Sequence, residues 1–106
     1  MDTFQALADP TRRDILELLA TSGKLPASDI YSKFSVSHPA ISQHLKVLRD
    51  TELVSVEKHA QQRLYQINPA KLTEIDEWLK KLAVQWEERF ERLDLLLKKM
   101  KKKEVK

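Results

Sequence analysis

The residues of this sequence best equipped for chemistry lie between Ser37 and Lys46, and their chemistry is hydrogen bonding to an edge, not bond making. Ser37, His38 and Ala40 come first, and Ser42, Gln43 and Lys46 follow. A helix that opens with short side chains lets its backbone approach a DNA major groove, and longer side chains then reach the base edges. Gln43 has the amide to pair bidentately with adenine, and His38 has a donor for a guanine acceptor. Lys46 suits a phosphate. A second polar cluster, Lys58, His59, Gln61, Gln62 and Arg63, could touch the backbone of a duplex or its adjacent minor groove.

Other chemistries are poorly served. The chain has no cysteine, which excludes a disulfide framework, a thiol nucleophile, a redox switch and every thiolate metal site. The three histidines are His38, His44 and His59. His38 and His44 stand about 1.7 helical turns apart, a spacing that faces them in different directions, so no metal site is expected. The acid pairs Glu87-Glu88 and Glu74/Glu77 fall on a regularly charged stretch and read as solvated. No serine or threonine has a base and an orienting group in pattern, and no glycine-rich phosphate loop exists, so neither catalysis nor a cofactor is expected. Arg12 and Arg13 begin a helix, where a cation opposes the dipole; the two open readings are phosphate contact and an ion pair with Asp9 or a neighbouring acid.

Punctuation by proline and short capping residues defines the elements that must hold these side chains. Phe4 and Leu7 anchor a short turn over Thr3 to Ala8. Asp9-Pro10 starts a helix carrying Ile15, Leu18 and Leu19 on one face, and Ser22-Gly23 ends it. Ala27 to Phe34 supports a second short helix with Ile30, Tyr31 and Phe34 inward. Ser37 caps a third helix running to about Asp50, its apolar stripe being Ile41, Leu45 and Leu48. Alternation over Leu53 to Lys58 reads as a strand, Ala60-Gln61-Gln62 as a turn without glycine, and Arg63 to Ile67 as the partner strand. Two short helices, a tight turn, a third helix with a polar outer face and then a hairpin make a winged helix-turn-helix.

Asn68-Pro69 opens a last helix that stays periodic to about Met100, roughly 32 residues or ~48 Å. Leu72, Ile75, Leu79, Leu82, Trp86, Phe90, Leu93, Leu97 and Met100 recur at steps of three and four. A single small domain cannot bury so long a seam, and the simplest partner is a second copy across a two-fold axis. Trp78, Trp86 and Phe90 allow a second reading as the lining of an apolar pocket. Acid-before-base pairs such as Glu77–Lys81, Glu88–Arg92 and Asp94–Lys98 line the outer face.

Bulk properties set the frame without deciding the function. One domain is the natural content of 106 residues, with the recognition helix at about 37–50, the wing at about 54–67, the dimerisation helix at about 69–100 and a Lys-rich tail at 98–106. The formal net charge of +3 is misleading, because residues 98–106 carry six lysines and one glutamate and the rest sums to −2. Such a tail reads first as a solvated charge run. The polar N-terminus does not resemble a signal peptide and no stretch has the length of a membrane span, so a cytoplasmic protein without membrane contact is expected.

Three segments, LADPTRRDILELL (7–19), SVSHPAISQHLKVLRDTELV (35–54) and EKHAQQRLYQI (57–67), resemble the ArsR/SmtB-type repressors over nearly the whole chain. The resemblance implies a mainly α fold with a small β-hairpin, a winged helix-turn-helix with a long C-terminal dimerisation helix. It implies a homodimer built on the first and last helices, with Phe4, Leu7, Leu72, Ile75, Leu79, Leu82, Trp86, Phe90 and Leu93 at the interface. It implies base contacts from Ser37, His38, Pro39, Ser42 and Gln43, wing contacts from Lys58 to Arg63, and a double-stranded DNA operator with inverted-repeat symmetry. Three departures separate this chain from the metal sensors of that family. Ala27 to Phe34 lacks the cysteines of their metal motif, no histidine follows His59 for their terminal-helix site, and the wing turn lacks glycine. The expected function is metal-independent repression; a third reading adds an organic ligand or a partner protein as the switch, which the sequence does not name. A protein-interaction module built on the long helix is the competing reading, and the lack of large apolar anchors on the outer face of residues 37–46 speaks against it.

Overall fold

The computed structural model describes residues 1–104, with side chains through Lys102. Val105 and Lys106, the end of the Lys-rich tail, lie outside the described residues. Short polar side chains start several of the helices. Asp2 and Gln5 form a capping box on α1 (Thr3–Leu7), with Asp2 accepting from the Gln5 N–H at 2.7 Å. Asp9 caps α2 (Pro10–Ser22) by accepting the Arg12 N–H at 3.0 Å, and Gly23 closes it at φ 78° with its N–H on the Leu19 carbonyl. After β1 (Leu25–Pro26) and α3 (Ala27–Ser32), Ser37 caps α4 (His38–Asp50). The caps Asp2, Asp9 and Ser37 each satisfy an N–H that the helix itself leaves orphaned, whereas α3 follows Pro26 without a side-chain cap.

The end of α4 is a Schellman motif, although its left-handed residue is Glu52 at φ 63° and not the usual glycine. The Leu53 N–H donates to the Leu48 carbonyl and the Glu52 N–H to the Arg49 carbonyl, both at 3.0 Å. Leu48 and Leu53 are both fully buried, which supplies the hydrophobic contact the motif favours. The buried Thr51 hydroxyl donates back to the Val47 carbonyl at 2.8 Å.

Residues Met1–Leu72 form one compact unit around a core of Ala6, Ile15, Leu19, Ile30, Ile41, Leu45, Leu48, Leu53 and Val54. Every helix of the unit up to α4 contributes, so α4 is held by three of its own side chains, each worth about 1.5–3 kcal/mol of transfer free energy. α1 is a helix where the sequence suggested a turn, and its buried anchor is Ala6; Phe4 is 51% exposed and Leu7 half-buried.

The sheet is antiparallel with three strands in the order β1-β3-β2, where β2 is Val54–His59 and β3 is Gln62–Ile67. The hairpin pairs Val54 with Ile67 at its base and His59 with Gln62 at its tip. Only Ala60 and Gln61 remain in the loop, one residue fewer than expected, and Ala60 takes φ 56°. A positive φ at the first central position alone is the pattern of a type II′ turn. β1, which the sequence pattern does not announce, adds Leu25 opposite Tyr65 and Pro26 opposite Leu64. Proline is tolerated there because β1 is an edge strand.

α5 (Pro69–Glu104) begins with Asn68, whose side-chain oxygen accepts the Ala70 N–H at 3.2 Å. At 36 residues it spans about 54 Å and outruns the expected end at Met100. From Thr73 onward it forms the second unit. Among the described residues no helix is long and apolar enough to cross a membrane.

Candidate nucleic-acid interface

α4 divides its residues cleanly between two faces. Ile41, Leu45 and Leu48 are buried, while His38, Pro39, Ser42, Gln43, Lys46 and Arg49 are exposed. Spacings of three and four place the exposed set on one stripe opposite the core. Ala40, grouped with these residues by the sequence reading, is half-buried, and its N–H is taken by Ser37 Oγ at 3.4 Å. Ser37 therefore spends an acceptor lone pair on the cap and keeps its hydroxyl proton for another partner. The His38 ring stacks on Tyr31 with centroids 4.7 Å apart and planes at 15°, which fixes its orientation from α3.

The wing carries Lys58, His59, Gln61, Gln62 and Arg63, all exposed. Lys58 and Arg63 are directly opposed across the ladder, a like-charge pair that costs stability unless an anion lies near. At the other side of the sheet, Lys24 Nζ reaches Glu57 Oε2 at 2.7 Å. The hydrogen bond and charge of Lys24 hold the Glu57 carboxyl below the usual range. This pair ties the wing to the segment before β1, a restraint with no local signal in the sequence because its partners are distant in the chain.

Away from this exposed stripe, His44 Nδ1 lies 3.3 Å from Arg12 Nη1 and 3.9 Å from Asp9 Oδ2. The Asp9 carboxyl is lowered first by the Arg12 backbone N–H and also by the Arg12 charge, with desolvation opposing. Arg12 and Arg13 are used differently from either reading of the sequence. Arg12 Nε donates to the Ala6 carbonyl at 2.8 Å and Nη2 to the Gln5 carbonyl at 3.1 Å. Arg13 Nη1 donates to the Leu7 and Ala8 carbonyls at 2.9 and 3.2 Å. The two guanidiniums cap the C-terminal end of α1, whose partial negative charge compensates their position at the start of α2. Their partners are backbone atoms, which no residue spacing reveals.

On α5, Leu72 is 40% exposed and Ile75 half-buried, whereas Leu79, Leu82, Trp86, Phe90 and Leu93 are all exposed on one stripe. Trp86 and Phe90 meet edge to face at 5.1 Å. Val84 and Leu95, also exposed, fall on the other side. The expected pair Asp94–Lys98 closes at 3.4 Å, and Asp76–Lys80 adds another at 2.9 Å. Among the described residues no three His, Asp or Glu side chains converge to hold a metal ion.

Residues 9–56 match the bacterial regulatory protein, arsR family. The chain is 38% identical over 78 residues to the transcriptional repressor SdpR of Bacillus subtilis, covering 74% of this chain and 86% of that protein. The chain belongs to the arsR family. It is also 42% identical over 65 residues to an arsenical resistance operon repressor of Staphylococcus xylosus, covering 61% of this chain and 62% of that protein. It therefore spans less than two thirds of that relative's length. Among solved structures, an ArsR-like transcriptional regulator from Rhodococcus sp. RHA1 superposes with a TM-score of 0.79 at 29% identity, covering 88% of this chain and 87% of that one. This arsR-family chain is a transcriptional regulator with a DNA-binding winged helix-turn-helix fold, not an enzyme.

Proposed function

We propose that the protein is a homodimeric, metal-independent repressor that reads an inverted-repeat operator in the cytoplasm. One observation carries the reading: α4 locks Ile41, Leu45 and Leu48 into the core and turns His38, Pro39, Ser42, Gln43 and Lys46 to solvent, directly before a wing of exposed polar and cationic residues. Ser37, His38, Pro39, Ala40, Ser42 and Gln43 form the surface entering the major groove. Lys46 meets phosphate, and Lys58, His59, Gln61, Gln62 and Arg63 meet the backbone or the neighbouring minor groove. A phosphate between Lys58 and Arg63 resolves the like-charge opposition of the wing. Dimerisation uses α1 and α5 through Phe4, Leu7, Leu72, Ile75, Leu79, Leu82, Trp86, Phe90 and Leu93. Two recognition helices then enter successive major grooves about 34–36 Å apart.

Selection from a random duplex pool with metal-free protein at near-physiological salt tests this. The expected product is an inverted repeat with half-sites about one helical turn apart. A dimer neutralising roughly six to ten phosphates gives a slope of log K against log salt of about −5 to −9. A folded dimer that enriches no sequence removes the operator reading and leaves an interaction module on the same fold.

A further inference from the structure

We infer that Arg12 and His44 are positioning residues for duplex reading: together they clamp the end of α1 to the back of the recognition helix α4, so that DNA affinity depends on how α1 is docked. The inference rests on the DNA-reading assignment above and adds two residues that do not face the groove. Arg12 stands in the first turn of α2, a position a cation occupies at some cost unless negative atoms surround it. Its planar fork meets three acceptors on two other helices: the Ala6 carbonyl at 2.8 Å, the Gln5 carbonyl at 3.1 Å and His44 Nδ1 at 3.3 Å. Guanidinium is always protonated and only donates, so the third bond requires His44 Nδ1 as an acceptor, with the ring proton on Nε2. Asp9, at 3.9 Å from the same nitrogen, is beyond hydrogen-bond reach of it and is engaged by the Arg12 N–H.

His44 directly follows Gln43 and Ser42 but lies on the inner side of α4, half-buried. A bond at that point restrains rotation of α4 about its own axis, which is the motion that would carry Gln43 and Ser42 out of register with base edges. The other end of the clamp is α1, which exposes Phe4 and half-buries Leu7. The docking of α1 is therefore linked to α4 through the Arg12 guanidinium and the His44 ring.

The experiment compares His44→Asn, His44→Leu and Arg12→Ala on the duplex recovered by wild-type selection, at a temperature where circular dichroism shows each variant folded. Asparagine keeps an acceptor at the position of Nδ1, and leucine removes it. His44→Leu and Arg12→Ala are expected to weaken binding roughly tenfold, and His44→Asn by no more than about threefold. The salt slope stays that of the wild type for all three, because no phosphate contact is lost. Equal losses for asparagine and leucine overturn the inference, since the acceptor would then be irrelevant. A slope reduced by about one per lost contact also overturns it, by making the residue a phosphate ligand. If Arg12→Ala does not fold, the two His44 variants decide alone. If the wild type selects no duplex, the DNA-reading assignment falls and this inference with it; wild-type selection with unaffected variants removes the inference only.

Discussion

Two regions of this chain spend the same kind of residue in opposite ways. In residues 1–72, Ile15, Leu19, Ile30, Ile41, Leu45 and Leu48 are at most 2% exposed. In α5 from Leu79 onward, leucines, a tryptophan and a phenylalanine at equally regular helical spacing are 44–59% exposed. Periodicity thus reports that a helix has an apolar face and not that the face is covered. In the first region the short elements supply one another's cover. In the second, one helix of about 50 Å carries more apolar stripe than ion pairs such as Asp76–Lys80 could stabilise, those being worth about 0.2–0.5 kcal/mol each. On the function proposed above, this contiguous stripe is the association surface.

The largest expected effects test that contrast directly. Ile41→Ala deletes a fully buried side chain and is expected to lower unfolding free energy by about 2–5 kcal/mol in urea titration. Trp86→Ala removes a side chain 59% exposed and is expected to leave the unfolding of residues 1–72 unchanged. It should instead weaken self-association by about 2–4 kcal/mol in sedimentation equilibrium, the range of a tryptophan anchor. A Trp86→Ala chain that associates like the wild type would break the comparison, because the exposed stripe would then not be an interface.

Within the first region, the exposed stripe of α4 separates two roles that burial alone does not. Gln43→Ala is expected to relax preference at one base pair by about 1–3 kcal/mol, read by competition among single-base operator variants. Lys46→Ala is expected to weaken all duplexes evenly and reduce the salt slope by about one. If Gln43→Ala lowers affinity with base preference intact, the amide is a backbone contact and the assignment is lost.

The frame of α4 is expected to respond to acid through its neighbour Asp9. The folded-state carboxyl titrates below its ordinary value of 3.8, chiefly because it accepts the Arg12 N–H. Its contribution is therefore complete above that value and is lost as pH falls through the lowered one. Asp9→Ala should cost about 1 kcal/mol at neutral pH, with the gap from wild type closing as pH falls through the lowered titration of the folded-state carboxyl. A gap that persists undiminished in acid would assign the effect to proline-adjacent backbone geometry and not to the carboxylate.

The parts of the fold legible in the sequence are those specified locally. Asp9-Pro10, Ser37 with Pro39, and Asn68-Pro69 carry helix starts in adjacent residues, and Ile41, Leu45 and Leu48 declare the inner face of α4 without reference to anything else. What escaped was non-local or unconventional. β1 is two residues long and ends in proline, so only its pairing with Leu64 and Tyr65 makes it a strand. The guanidiniums of Arg12 and Arg13 seek carbonyls, and the Tyr31–His38 stack joins two helices across a turn. Both left-handed non-glycine positions, Glu52 and Ala60, were invisible because the residue that usually signals such a turn is missing.

Ala60 gives the smallest test and bears on the wing alone. At φ 56° its Cβ crowds the backbone, a strain of about 1–2 kcal/mol that glycine does not feel. Glycine would also enlarge the unfolded ensemble, which offsets about 0.4–1 kcal/mol of the relief. Ala60→Gly is therefore expected to stabilise the protein by roughly 0.5 kcal/mol in thermal unfolding. The turn it occupies sets the pairing of His59 with Gln62 and the opposition of Lys58 to Arg63. Because the hairpin register is fixed by the six cross-strand pairs and not by the methyl group, the salt slope of DNA binding should not change. Destabilisation by Ala60→Gly would mean that the left-handed residue is relaxed in its place; a changed salt slope would mean that alanine stiffens the wing for its phosphate, a role that glycine cannot supply.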